Sequence, residues 1–130
     1  MKRVFLSYAL GDADFARSLS QALSSDVEVA SLETGIPGGE KIGEILRSQM
    51  ATADVMVVLL SQNALGSPWL QFELGAALGL GVRVLPVYVG DPSTFEADKF
   101  DYLLPDQNII GIHGLSPRLA ADRLRDLIMR

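Results

Sequence analysis

Asp54-Val55-Met56-Val57-Val58-Leu59-Leu60-Ser61 decides the fold. A strand with one wet face alternates apolar and polar residues, whereas this run of strand length is apolar throughout, as expected where helices cover both faces of a parallel sheet. The spacing therefore predicts a strand over 54–61 in the middle of such a sheet. Working outward, strand-like runs alternate with helical patterns along the whole chain, a β-α unit repeated five times. Arg3 to Tyr8 is predicted as the first strand, Asp26 to Ser31 as the second, Val82 to Val89 as the fourth and Asn108 to Ile112 as the fifth. After Gly11-Asp12, the apolar positions Phe15, Leu19, Ala22 and Leu23 fall on one helical face, as do Ile42, Ile45, Leu46, Met50 and Ala53 after the second strand, and Ala120, Leu124, Leu127 and Ile128 at the end of the chain.

Two helix starts are marked sharply. Ser67-Pro68 and Ser116-Pro117 each place a capping serine before a proline at the first helical position. A short helix is expected within 91–104. Pro86 removes a ladder donor from the fourth strand, which places that strand near an edge or makes it locally irregular. The fold class is α/β, a five-stranded parallel sheet with helices on both faces. With 130 residues and 48% of them hydrophobic, the chain is expected to form one domain over 1–130, without internal repeat or linker.

Composition excludes several chemistries. No cysteine is present, which removes thiolate metal sites, disulfides and cysteine nucleophiles, and His113 is the sole histidine, too few for a two-histidine metal site. No metal is expected. The 11 Lys plus Arg against 16 Asp plus Glu give a formal charge of −5, and no basic cluster stands out, so neither nucleic acid nor an anionic membrane is an expected partner. With no apolar run long enough for a signal peptide or a span, the chain reads as cytoplasmic.

In open parallel sheets ligands bind outside the carboxyl ends of the strands, where strand order reverses. That selects the loops 8–12, 32–41, 61–67 and 90–93. No Gly-x-Gly-x-x-Gly follows the first strand, and Gly35 to Lys41 lacks the spacing of a phosphate-binding P-loop. A phosphoacceptor receiver needs acidic residues where Ser7 and Ser61 stand, and a lysine where His113-Gly114 stands. The remaining signal is the helix opened by Ser67-Pro68, in which Trp69 and Glu73, four positions apart, share one face with Ala76 and Ala77. A lone carboxylate on such a face is costly unless it is solvated or paired. The residues alone leave two readings for Glu73: a capping or surface ion-paired group beside a packed tryptophan, or a functional carboxylate.

These residues resemble the Toll/interleukin-1 receptor (TIR) domain family, particularly its bacterial members. Val4-Phe5-Leu6-Ser7-Tyr8 is similar to the family's first-strand motif, Leu32 to Ile42 to its long loop, Asp54 to Ser61 to its third strand and Val84-Leu85-Pro86-Val87 to its fourth. Ser67-x-Trp69-x-x-x-Glu73 resembles the Trp-x-x-x-Glu pattern whose glutamate is catalytic in members that consume NAD+. The resemblance covers nearly the whole chain and implies a flavodoxin-like sheet, with Glu73 as the catalytic residue and NAD+ as substrate rather than cofactor. It implies an NAD+ glycohydrolase or cyclase that yields nicotinamide and ADP-ribose or a cyclic isomer in bacterial antiphage signalling. Trp69 would offer its ring face to the cationic nicotinamide, and Ser7, Tyr8 and Ala9 would border the substrate cleft. Gly35, Ile36, Pro37, Gly38 and Gly39 would form the loop through which TIR domains contact one another head to tail, an arrangement that propagates into filaments. Here Glu40-Lys41-Ile42 replaces the aromatic residue the family carries after the glycine, while Ile36-Pro37 keeps an apolar tip. A sensor or effector partner, or a parent chain, is also expected. Lys41 and Arg83 are either phosphate contacts, by charge alone, or solvated surface residues, and His113 reads as a surface or hydrogen-bonded histidine. The alternative is a non-catalytic module that signals only by TIR–TIR contact, and a more distant one is a nucleoside-processing enzyme with a glutamate nucleophile.

Overall fold

Val55–Leu60 forms β3, with all six residues buried, at the centre of a five-stranded sheet of order β2-β1-β3-β4-β5. The computed structural model describes residues 1–31, 42–65, 67–90, 110–112 and 114–130, with the side chains of all but 42–46, 63, 65 and 69. The flanking strands are β1 (Arg3–Ser7), β2 (Glu28–Ala30), β4 (Arg83–Tyr88) and β5 (Ile110–Gly111). Every pairing is parallel, with Val4↔Val55 to Ser7↔Val58 joining β1 to β3 and Val55↔Arg83 to Leu60↔Tyr88 joining β3 to β4. The helices are α1 (Ala13–Leu23), α2 (Ile42–Ala51), α3 (Gln62–Leu65), α4 (Pro68–Gly79) and α5 (Pro117–Ile128), with a 3-10 turn over Leu10–Asp12.

The two-residue period of the strands divides the core into two layers. Val4, Leu6, Val55, Val57, Leu59, Leu85 and Val87 pack against α1 and α5. Phe5, Met56, Val58, Leu60, Val84 and Tyr88 pack on the other side with Met50 of α2 and Leu70, Leu74 and Ala77 of α4. Strand order runs one way from β1 to β2 and the other way from β3 onward, so the carboxyl ends of β1 and β3 flank the switch point, the place where sheets of this kind bind ligands.

Both helix starts form as the sequence indicates: Ser67 Oγ accepts from Leu70 N–H at 3.2 Å, and Ser116 Oγ from Leu119 N–H at 3.3 Å. The buried face of α1 is Ala16, Leu19 and Leu23, with Phe15 and Ala22 at its margin. Strands are one to several residues shorter than the apolar runs suggest, because hydrogen bonding ends before hydrophobicity does. The fourth strand stands near an edge of the sheet, as Pro86 indicates. β4 is the last strand before the edge strand β5, which among the described residues meets it at Val87 and Tyr88. The helix expected within 91–104 lies outside the described residues, and α3 is an element the sequence reading did not anticipate.

Candidate active site

Helix α4, of sequence Pro68-Trp69-Leu70-Gln71-Phe72-Glu73-Leu74-Gly75-Ala76-Ala77-Leu78-Gly79, carries one charged residue, and that residue faces inward. Glu73 is 1% exposed, on the side of α4 that supplies Leu70 and Ala77 to the core, while Phe72 and Leu78 are each 48% exposed. The apolar residues are thus partly outside and the carboxyl inside, the reverse of the ordinary partition.

β1 supplies the partner. Alternation puts Phe5 and Ser7 on the face that α4 covers, and Ser7, 1% exposed at the end of the strand, donates its hydroxyl to Glu73 Oε1 at 3.2 Å. Among the described residues Glu73 Oε2 has no hydrogen-bond partner. Burial pushes the Glu73 carboxyl up from 4.5 to about 8, and the Ser7 hydrogen bond pulls in the opposite direction. A buried carboxyl with one oxygen held and the other unmatched is costly, which marks Glu73 as the candidate functional group.

A second serine–carboxylate pair lies on the other face. Ser61, just past β3, donates to Asp12 Oδ2 at 2.5 Å, and Asp12 N–H donates to the Ala9 carbonyl at 2.9 Å. This ties the turn after β1 to the end of β3. Asp12 precedes α1 yet makes no side-chain cap, since its carboxylate is engaged with Ser61. Sequence reading missed this pair, because 49 residues separate its members. It also missed Tyr88, which ends β4 on the α4 side and lies so close to Gly90 that a Cβ there would stand 2.6 Å from its hydroxyl oxygen.

The other candidates are distributed as follows. Tyr8 packs in the α1/α5 layer, across the sheet from Glu73, and borders a cavity of about 210 Å³ with Ala16, Arg17 and Ser31. Ala9 is buried at the start of the 3-10 turn. Trp69 lies in the first turn of α4, with its side chain outside the described set. The whole loop with Gly35, Ile36, Pro37, Gly38 and Gly39, and also Lys41 and His113, falls outside the described residues. Arg83 opens β4 at the amino end of the sheet, away from Glu73, and is exposed. Among the described residues no group of His, Cys, Asp and Glu could hold a metal ion, and no helix is long and apolar enough to cross a membrane.

A flavodoxin-like α/β domain with a buried carboxyl at its switch point is the class that fold and site define. The sequence profile of the TIR domain matches residues 4–118, and the chain belongs to that family. No curated relative matches it. Among solved structures it is similar to a metazoan TIR-STING receptor from C. gigas in complex with 2',3'-cGAMP (TM-score 0.76, 19% identity), covering 98% of this chain but 39% of that one. It is also similar to the TIR domains of the activated Roq1 resistosome, which recognises the pathogen effector XopQ (TM-score 0.71, 24% identity, 98% and 99% of the two chains). A third likeness is to the CMP N-glycosidase BcmB of Clostridium botulinum (TM-score 0.66, 16% identity, 97% and 99%).

Proposed function

We propose that this TIR domain is an NAD+ glycohydrolase or cyclase whose catalytic residue is Glu73. The observation that carries the reading is the buried carboxyl at the switch point, held by Ser7 through Oε1 and unmatched at Oε2. In the reaction the bond between ribose C1' and the nicotinamide nitrogen breaks. Its electron pair leaves with nicotinamide, which departs neutral, so no general acid is required. The ribose is left as an oxocarbenium-like centre, and a carboxylate beside it stabilises that charge. Ribose hydroxyls donating to Oε2 supply its missing partner, and the cationic substrate draws Glu73 toward its ionised form against the desolvation that otherwise keeps it protonated. Attack of water on C1' with loss of a proton gives ADP-ribose, whereas attack by an adenine nitrogen gives a cyclic isomer. Trp69, one turn before Glu73, is assigned the nicotinamide ring face.

Head-to-tail association through 35–39 is the proposed means of activation, and bacterial antiphage signalling the proposed setting, with a sensor or effector on a partner or parent chain. Ile36→Asp is then expected to lower turnover in a folded protein.

The raised pKa favours a second reading. A neutral nucleobase such as cytosine leaves an N-glycoside more readily when protonated, and a carboxyl titrating near 8 carries a proton to give at neutral pH. The CMP N-glycosidase likeness makes CMP the natural comparison substrate. The deciding experiment incubates concentrated protein and Glu73→Ala with NAD+ or CMP and separates the products by chromatography. Glu73-dependent release of nicotinamide supports the first reading, and release of cytosine alone the second. No turnover of either, even when assembly is forced by fusion to an oligomer, leaves the contact-only signalling module.

A further inference from the structure

We propose that Ser7 is a positioning residue, which holds Oε1 of Glu73 from the end of β1 so that Oε2 alone is presented to the substrate. The inference rests on the glycohydrolase reading and reassigns a residue expected from the family resemblance to border the substrate. A serine hydroxyl has one proton to donate, and here Glu73 receives it at 3.2 Å. With that proton given to the carboxylate, Ser7 has none left to donate to a ligand.

The two partners differ in stiffness. β1 is paired on both edges, with β2 and with β3, so Ser7 sits on a fixed strand. A glutamate side chain has three rotatable bonds, and ordering it costs conformational entropy. Meeting that cost on folding, rather than when substrate binds, is the preorganisation that electrostatic catalysis requires.

No other described charge acts on the carboxyl. β3 presents Met56, Val58 and Leu60 to this layer, β4 presents Val84 and Tyr88, and α2 presents Met50. Arg47 of α2 lines a groove on another side of α4, with Phe72 and Gly79, that does not include Glu73. Ser7 is therefore the described group that favours the ionised form, against the burial that opposes it.

The test compares Ser7→Ala, which removes the donor, with Ser7→Cys, which nearly keeps the volume and offers a weak one. Thermal melts confirm folding. In free protein labelled with 13C-glutamate, with Glu73 assigned by Glu73→Gln, the carboxyl's midpoint is expected to rise by about one pH unit in Ser7→Ala and by less in Ser7→Cys. With NAD+, kcat at neutral pH should fall about tenfold in Ser7→Ala, with KM changed less than about twofold, and the deficit should narrow as pH is raised beyond the midpoint. A rise in KM at constant kcat, or an equal loss at every pH, would overturn the proposal in favour of a substrate contact or a purely structural role. If the wild-type protein cleaves no N-glycoside, the glycohydrolase reading falls by itself. The titration is then still decisive for the Ser7–Glu73 pairing, which a shifted midpoint supports and an unmoved one refutes.

Discussion

Two serines end the two strands that flank the switch point, and each gives its hydroxyl to a carboxylate, Ser7 to Glu73 and Ser61 to Asp12. The first pair lies under α4 with both residues 1% exposed, while in the second Asp12 is half-buried and the oxygen separation is only 2.5 Å. A short hydrogen bond at the margin of water is a clip: it fastens the turn after β1 to β3. The longer bond under α4 is the only described partner of a carboxyl stripped of water, and that carboxyl is left with an unmet oxygen. Water access, rather than residue type, separates the two pairs.

Breaking the buried pair should have the larger consequences. Glu73→Ala is expected to reduce NAD+ turnover by about 10²–10³-fold or more, the scale on which transition-state charge stabilisation is lost, measured as nicotinamide released per unit time. Stability should also report the same carboxyl. Its folded-state pKa of about 8 lies above the ordinary 4.5, so between those values the folded protein holds a proton that the unfolded chain has released. Stability contributed by this group is therefore full below about 4.5 and declines as pH rises toward 8, by about 1.4 kcal/mol per unit, then levels. Denaturant titrations across that window should show the decline in the wild-type protein and its loss in Glu73→Gln.

Smaller effects sharpen the contrast. Gly90→Ala drives a methyl against the Tyr88 hydroxyl and should cost about 1–3 kcal/mol as the ring moves, read from the shift in unfolding midpoint. Ser61→Ala should cost about 1 kcal/mol, because water can reach Asp12 in place of the lost donor, and should leave the Glu73 titration where it was. A Glu73 midpoint that moved with Ser61→Ala would show the two pairs to be one network rather than two.

Much of this was readable along the chain. The unbroken run 55–60 marked the central strand, the Ser-Pro pairs marked the starts of α4 and α5, and Trp69 with Glu73 singled out the helix that bears the buried carboxyl. Alternation along β1 could also have separated Ser7 from Tyr8, since neighbours on a strand face opposite ways. Which face α4 covers could not be read locally, and so Tyr8 stood beside Ser7 as a cleft residue although it packs in the α1/α5 layer. The Asp12 clip was invisible for a similar reason: aspartate before a helix looks like a cap, and only the approach of β3 shows that it is not one.

The alternation of elements, the apolar faces and the places where helices begin are written locally in the chain, because they follow from periods of two and 3.6 residues and from backbone chemistry that acts within a few positions. Tertiary structure decided the state of Glu73. Its hydrogen-bond donor is 66 residues away, and the desolvation that raises its pKa comes from β1, β3, β4 and α4 closing over it together. Burial of a charge belongs to the assembled layers, and no segment of the chain contains it.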